Sequence, residues 1–146
     1  IGTHGAVVSG SEKLKSYLIN FSRSFIFTTA LPESAVQAVK AAYSILPSLT
    51  KEREVLQSHI NTFQRAELPF QKLISHSPIQ AVIIPGNDAV KKAANALTEK
   101  QLDVRPILYP TVPKGKERLR ISLHSFNTVD QLSLLINTLQ AAGQSR

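Results

Sequence analysis

The sequence has 146 residues, of which 42% are hydrophobic, and it carries 17 Lys and Arg against 10 Asp and Glu, a formal net charge of +7. This length and composition fit one ordinary domain with a buried core, and they argue against a coiled coil, a collagen-like chain and a disordered tail. Because the chain has no cysteine, disulfides and thiolate-ligated metal sites are excluded, and a cytoplasmic location is expected. The excess of basic residues favours anionic partners, among them nucleic acid, phosphorylated cofactors, coenzyme A and acidic carrier proteins.

Several further features narrow the class of protein. No apolar run approaches the roughly 20 residues of a membrane span, so no membrane partner is expected. The histidines lack metal-ligand spacing, so no metal is expected; they are His4, His59, His76 and His124. The chain contains no methionine, and it opens like the middle of a fold. It is therefore expected to be a fragment of a longer protein.

The first 32 residues have a mixed pattern. Ala6–Val8 and Phe25–Thr29 are rich in β-branched and aromatic residues and predict short strands. Between them, Ser11–Ile19 has apolar residues at helical spacing and predicts a helix. Leu31-Pro32 ends this stretch.

From Glu33 onward, apolar residues recur every three or four positions. This spacing predicts a helix that begins near Glu33 and ends at Pro47. Its buried stripe would be Val36, Val39, Tyr43 and Leu46. A second helix is predicted over 50–65, with Leu56, Ile60 and Phe63 facing inward.

The remaining elements alternate between strands and helices. Ile79–Ile84 predicts a strand, followed by a helix that Asn87 or Asp88 caps and that buries Val90, Ala93, Ala94 and Leu97. Val104–Tyr109 predicts an edge strand because Pro106 cannot donate to a ladder. Arg118–His124 alternates polar and apolar residues and predicts a strand that buries Leu119, Ile121 and Leu123. Thr128 and Gln131 form a capping box before a last helix, whose stripe is Leu132, Leu135, Ile136 and Leu139.

This order of elements predicts an α+β fold, with a three-stranded antiparallel sheet and helices over one face. Residues 33–146 would form this small domain. Residues 1–32 do not fit the layer and are expected to be the end of a different, larger domain.

The most informative surface lies on the strand 118–124. Arg118, Arg120, Ser122 and His124 share its polar face. An arginine on a rigid strand can bind a carboxylate or phosphate through two parallel hydrogen bonds, whereas the alternative is a merely solvated strand face. Strand alternation does not choose between Arg118 and Arg120.

Two other groups of residues are candidate sites. Lys114 and Lys116 extend the basic row and raise the alternative of a nucleic-acid-binding ribbon. The prolines just before this row and the lack of interleaved aromatic residues argue against that alternative. Thr28 and Thr29 place two hydroxyls where they can donate to a phosphate, although most such pairs only fit a pleated strand.

Three separated motifs resemble the α-oxoamine synthase family of pyridoxal phosphate (PLP) enzymes. They are Arg23–Pro32, Pro110–Gly115 and Arg118–Ser122. The resemblance implies the fold-type-I architecture, with this chain supplying the end of the large cofactor domain and the small C-terminal domain. It also implies an acyltransferase that joins an amino acid to an acyl thioester with loss of carbon dioxide. Within the family, the resemblance is strongest to enzymes of biotin synthesis, which use L-alanine and a pimeloyl thioester.

The resemblance also implies roles for individual residues. Arg120 matches the position that binds the amino acid's carboxylate, and Thr111 matches a second substrate-binding position. Thr28 and Thr29 match the pair that contacts the cofactor phosphate of the neighbouring subunit in a homodimer. The Schiff-base lysine would lie just before Ile1, so no catalytic residue is predicted in this chain, which is expected to be inactive alone. The chain departs from the family at 125–128, where Ser-Phe-Asn-Thr stands in place of Ala-x-His-Thr.

The sequence leaves two alternatives to an enzyme of biotin synthesis. One is another α-oxoamine synthase, such as a glycine C-acetyltransferase, and the other is a basic module that binds nucleic acid or an acidic protein.

Overall fold

The computed structural model describes residues 2–144. Its contacts divide the chain into two compact units, Ile1–Leu49 and Thr50–Arg146. None of the helices in the described part is long and apolar enough to cross a membrane.

The first unit is helical where it is regular. It contains α1 (Glu12–Phe21), α2 (Arg23–Ile26), α3 (Glu33–Ile45) and a 3-10 turn at Leu46–Ser48. Ser11 caps α1, because its hydroxyl accepts a hydrogen bond from the Leu14 amide at 3.2 Å. The helix predicted over 11–19 and the helix predicted to end near Pro47 are thus present.

Three expectations for this unit were wrong. Ala6–Val8 has no regular structure, and the predicted strand at Phe25–Thr29 is instead the short helix α2 and the residues after it. Strand propensity depends on a partner strand, and no strand lies within residues 2–49 of the described chain. The stripe on α3 is not buried, since Val36 and Tyr43 are 50% and 48% exposed. The fraction of surface that a chain buries falls as the chain becomes smaller.

The second unit contains a sheet and three helices. Its elements are α4 (Thr50–Arg65), β1 (Gln71–Lys72), β2 (Ile79–Ile83), α5 (Asn87–Glu99), β3 (Arg105–Ile107), β4 (Arg118–Ser122) and α6 (Val129–Gln144). The strands are antiparallel and lie in the order β1-β2-β4-β3. The predicted α+β class is confirmed, but the sheet has four strands rather than three. The additional strand, β1, was missed because its two residues are too few to show alternation.

One face of this sheet carries the core. Leu119 and Ile121 of β4 and Val82 of β2 are buried together with the inward stripes of the three helices. The predicted inward residues of α5 are all buried, and so are most of those of α4 and α6. Leu56 and Ile136 are only partly buried, and His59 is buried without having been predicted. The opposite face carries exposed residues of β4, including Arg120 and Ser122. The polar residues of β4 therefore stand on a face of the sheet whose other side is covered by the core, beside the apolar residues Ile79, Ala81 and Ile83 of β2.

The helix ends show one success and one error of the sequence patterns. The capping box is confirmed: the Gln131 amide donates to the Thr128 hydroxyl at 3.2 Å, and the Thr128 amide donates to Gln131 Oε1 at 3.1 Å. The predicted cap of α5 is wrong, because Gly86, with φ of +96°, occupies the N-cap position. Asn87 instead forms hydrogen bonds through its side chain to the backbone of Tyr109.

The predicted edge strand is confirmed, since β3 lies at the end of the sheet.

Candidate carboxylate-binding site

The polar face of β4 holds two arginines in different states. Arg118 is half-buried, and its Nε donates to the carbonyl of Lys116 at 3.0 Å. Arg120 is exposed, and its guanidinium has no hydrogen bond or ion pair to any residue from 2 to 144. Because β4 pairs with β2 on one side and β3 on the other, Arg120 stands on the interior of the sheet. Its backbone is fixed while all five donors of its side chain remain available.

A second basic side chain lies next to Arg120. The register of β3 and β4 sets Arg105 directly opposite Arg120. Arg105 Nη2 forms an ion pair with Asp103 Oδ2 at 3.0 Å, and both side chains are about three-quarters exposed, at 73% and 75%. This ion pair joins side chains two residues apart, a spacing that places both on one side of an extended segment and that is visible in the sequence.

These residues line an open cavity of about 340 Å³ beside the sheet. Arg105, Arg120, Ser122 and His124 line it from the strands and the loop after β4. The lining therefore combines two arginines, a serine and a histidine with apolar residues, among them Ile121, Leu123 and Leu132. Such a space suits a small anionic molecule rather than a polymer.

A polar network that the sequence patterns did not indicate also lines the cavity through His59, His124 and Asn127. His59, on α4, is buried, and its Nε2 lies 2.9 Å from the carbonyl oxygen of Asn127. Asn127 Oδ1 in turn accepts from the His124 amide at 2.8 Å, and the His124 ring stacks on Phe126 with centroids 4.7 Å apart. The link between His59 and Asn127 spans 68 residues, so local patterns carry no signal of it.

Thr111 occupies a separate loop whose two ends are fastened to the turn before α5. At one end, the Tyr109 amide donates to Asn87 Oδ1 at 3.0 Å. At the other end, the Glu117 carboxylate accepts from the Gly86 amide at 2.9 Å. Thr111 itself is exposed and does not line the cavity that contains Arg120.

Glu117 is the carboxylate that organises this loop. Its residue is only 2% exposed. Hydrogen bonds from the Gly86 amide and from its own amide hold the pKa of Glu117 below the usual value. Desolvation opposes them by raising the pKa, whereas a hydrogen bond from Gly115 and the charge of Lys114 lower it further. The folded state therefore favours the ionised form of this side chain.

Thr28 and Thr29 lie in the first unit, just after α2. Both are exposed, and neither hydroxyl has a hydrogen bond within the described residues 2–144. Two uncommitted hydroxyl donors fit contact with a phosphate group. Thr28 and Thr29 belong to the first unit and Arg120 to the second.

Comparison with known proteins decides the family. A model of aminotransferase class I and II matches residues 1–136. This chain belongs to that family. It is 37% identical over 142 residues to an 8-amino-7-oxononanoate synthase of Thioalkalivibrio sulfidiphilus, covering 94% of the chain and 36% of that enzyme. It is 34% identical over 146 residues to one of Lysinibacillus sphaericus, covering 99% of the chain and 38% of that enzyme.

Solved structures give the same result. The 8-amino-7-oxononanoate synthase of Francisella tularensis matches with a TM-score of 0.74 and 29% identity, over 92% of this chain and 40% of that enzyme. Serine palmitoyltransferase of S. paucimobilis, solved with a PLP-myriocin aldimine, matches with a TM-score of 0.76 and 26% identity, over 94% of this chain and 35% of that enzyme. The predicted resemblance to α-oxoamine synthases is confirmed. The chain spans well under half the length of each of these relatives.

Proposed function

We propose that this chain forms the C-terminal part of a PLP-dependent α-oxoamine synthase that makes 8-amino-7-oxononanoate for biotin synthesis. The reaction joins the Cα of L-alanine to the acyl carbon of a pimeloyl thioester, on coenzyme A or a carrier protein, and releases carbon dioxide and the thiol. The names and identities of the curated relatives support this choice within the family.

The observation that carries the proposal is the uncommitted guanidinium of Arg120. Arg118 already donates to a backbone carbonyl, whereas Arg120 faces the cavity without a partner among residues 2–144. A carboxylate can occupy its planar fork through two hydrogen bonds. The substrate's carboxylate would therefore be held at a defined point on the sheet.

Holding the carboxylate is also how this chain contributes to the chemistry. Once the carboxylate is fixed, the orientation of the bonds around Cα is restricted, and the bond that breaks is selected by position. PLP, when bound, supplies the electron sink for that cleavage. Thr28 and Thr29 are the residues of this chain that would contact its phosphate, in the neighbouring subunit of a homodimer.

The remaining roles follow from the same proposal. Thr111, on the loop fastened by Asn87 and Glu117, is a second substrate-binding residue. Residues 1–32 belong to the large cofactor domain of the full-length enzyme and residues 33–146 to its small domain. The Schiff-base lysine lies in the sequence that precedes this chain, so the chain alone is inactive.

The test uses the full-length enzyme and the variant Arg120→Ala. We expect the affinity for L-alanine to fall about tenfold to hundredfold, because a hydrogen-bonded charge pair is lost, while the affinity for PLP is unchanged. Calorimetry with each ligand measures the two affinities separately. Arg118→Ala is the matched control and should leave L-alanine binding within about threefold of wild type, since only a backbone hydrogen bond at the surface is removed. Equal losses of L-alanine and PLP binding would contradict the assignment.

The structural similarity to serine palmitoyltransferase raises a second candidate within the family, in which serine and a fatty acyl thioester are the substrates. The full-length enzyme offered L-alanine, glycine and L-serine in turn distinguishes these reactions. Product formation from L-alanine with a pimeloyl thioester supports the proposal. Product formation from serine or glycine alone would replace it with the corresponding relative.

A further inference from the structure

The opposed pair Arg105 and Arg120 is electrostatically unfavourable by itself. Residues directly opposite on antiparallel strands have Cβ atoms about 5 Å apart, and like charges at that separation repel. β3 and β4 nevertheless place an arginine at each of these two positions. Both residues line the same cavity, so their combined charge acts on an anion that binds there.

Asp103 is the only acidic residue among those that line this cavity. It is bonded to Arg105 and has no hydrogen bond to Arg120. Two guanidinium groups and one carboxylate leave the cluster with a single positive charge. That charge matches a ligand with one carboxylate, whereas two positive charges would match a ligand with two.

We infer that Asp103 is a specificity-determining residue that restricts this site to amino acids with one carboxylate. By occupying Arg105, Asp103 denies a second carboxylate the only other guanidinium beside Arg120 in this cavity. It also repels such a group directly. The inference rests on the proposed function, in which Arg120 binds the carboxylate of the amino acid substrate.

The exposure of the pair makes this role physically reasonable. An ion pair between two side chains that are about three-quarters exposed adds little to stability. Removing Asp103 therefore has little effect on folding. Asp103 nevertheless lines the cavity, so its charge acts on an anion that binds there.

The experiment measures the binding of acetate and malonate, a monoanion and a dianion, to the 146-residue chain. NMR titrations of the arginine Nε–H signals give the two dissociation constants at one ionic strength. In Asp103→Asn we expect malonate to bind about fivefold more tightly, the upper range for one exposed charge pair, and acetate to change less than about twofold. The affinity for malonate relative to acetate should therefore rise in Asp103→Asn.

Two further variants make the result specific. Asp88→Asn removes the same charge from the exposed first turn of α5, which does not line this cavity, and should leave the preference unchanged. Adding Arg105→Gln to Asp103→Asn should abolish the gain in malonate binding, because the freed guanidinium is then absent. Equal preferences in Asp103→Asn and Asp88→Asn, or a gain that survives Arg105→Gln, would overturn the inference.

These titrations need no cofactor, so they separate the two proposals. If the full-length enzyme fails to condense L-alanine with a pimeloyl thioester, the proposed function is wrong, but the charge selectivity of the site can still be measured. If the selectivity is unchanged in Asp103→Asn, the role of Asp103 falls and the reaction is unaffected. In the full-length enzyme, Asp103→Asn should also increase the affinity for L-aspartate relative to L-alanine.

Discussion

At the scale of single residues, contacts distant in sequence decide which polar groups are free. Alternation correctly set Arg118 and Arg120 on one face, yet it held no information on the bond from Arg118 to the Lys116 carbonyl. Glu117 lies in a charged loop sequence that suggests exposure to solvent. It is nevertheless only 2% exposed, and its carboxylate accepts a hydrogen bond from the Gly86 amide. Its partner lies 31 residues earlier, so only the folded chain reveals it.

Glu117 makes the stability of the second unit depend on pH. Because the folded state lowers its pKa, its ionised form stabilises the fold above the unfolded carboxyl pKa of about 4.3, and this contribution is lost as pH falls through the lower folded value. We expect Glu117→Gln to unfold at lower urea concentration than wild type at pH 7. At the acid end the two midpoints should converge.

The control for this prediction is Glu99→Gln, which changes an exposed carboxylate at the end of α5. Its difference from wild type should be small at every pH. Urea unfolding curves collected in steps from pH 7 to pH 3 provide the comparison. A deficit in Glu117→Gln that stays constant over that range would show that ionisation of Glu117 does not contribute.

At the scale of elements, long periodic segments were predictable and short ones were not. The stripes of α4, α5 and α6 and the alternation of β4 each repeat over several residues, so burial follows from spacing alone. β1 has two residues and depends on pairing with Ile83 and Val82 of β2. The stretch after Arg23 has strand-favouring residues, but without a partner strand it forms a helical turn.

The capping box at the start of α6 gives a quantitative prediction for an element. Thr128→Ala removes the acceptor for the Gln131 amide, and we expect the free energy of unfolding to fall by about 1 kcal/mol. Thr128→Ser keeps the hydroxyl, and serine ranks at least as high as threonine at this position, so its free energy of unfolding should stay within about 0.5 kcal/mol of wild type. Chemical denaturation of the three proteins measures this. A Ser variant as unstable as the Ala variant would assign the loss to the methyl group of Thr128 instead of its hydrogen bond.

At the scale of the whole chain, the order of elements predicted the α+β class, and the three motifs predicted the family. The number of strands and the exposure of α3 were not predictable, because both depend on what packs against a segment. Every buried hydrophobic residue of the described chain lies between Ile60 and Leu139. Stability should therefore be concentrated in the second unit.

Native-state hydrogen exchange tests this distribution of stability in the 146-residue chain. Local opening requires little free energy where few apolar side chains are buried. Amides of α1, α2 and α3, which contain no buried residue, should exchange through such openings, whereas those of β2, β4 and α5 should exchange only on global unfolding. Addition of low urea concentrations should thus accelerate the β2 and β4 amides and leave those of α3 almost unchanged, since local openings expose little surface. Amides of α3 that share the protection and urea dependence of β4 would mean that the two units unfold as one.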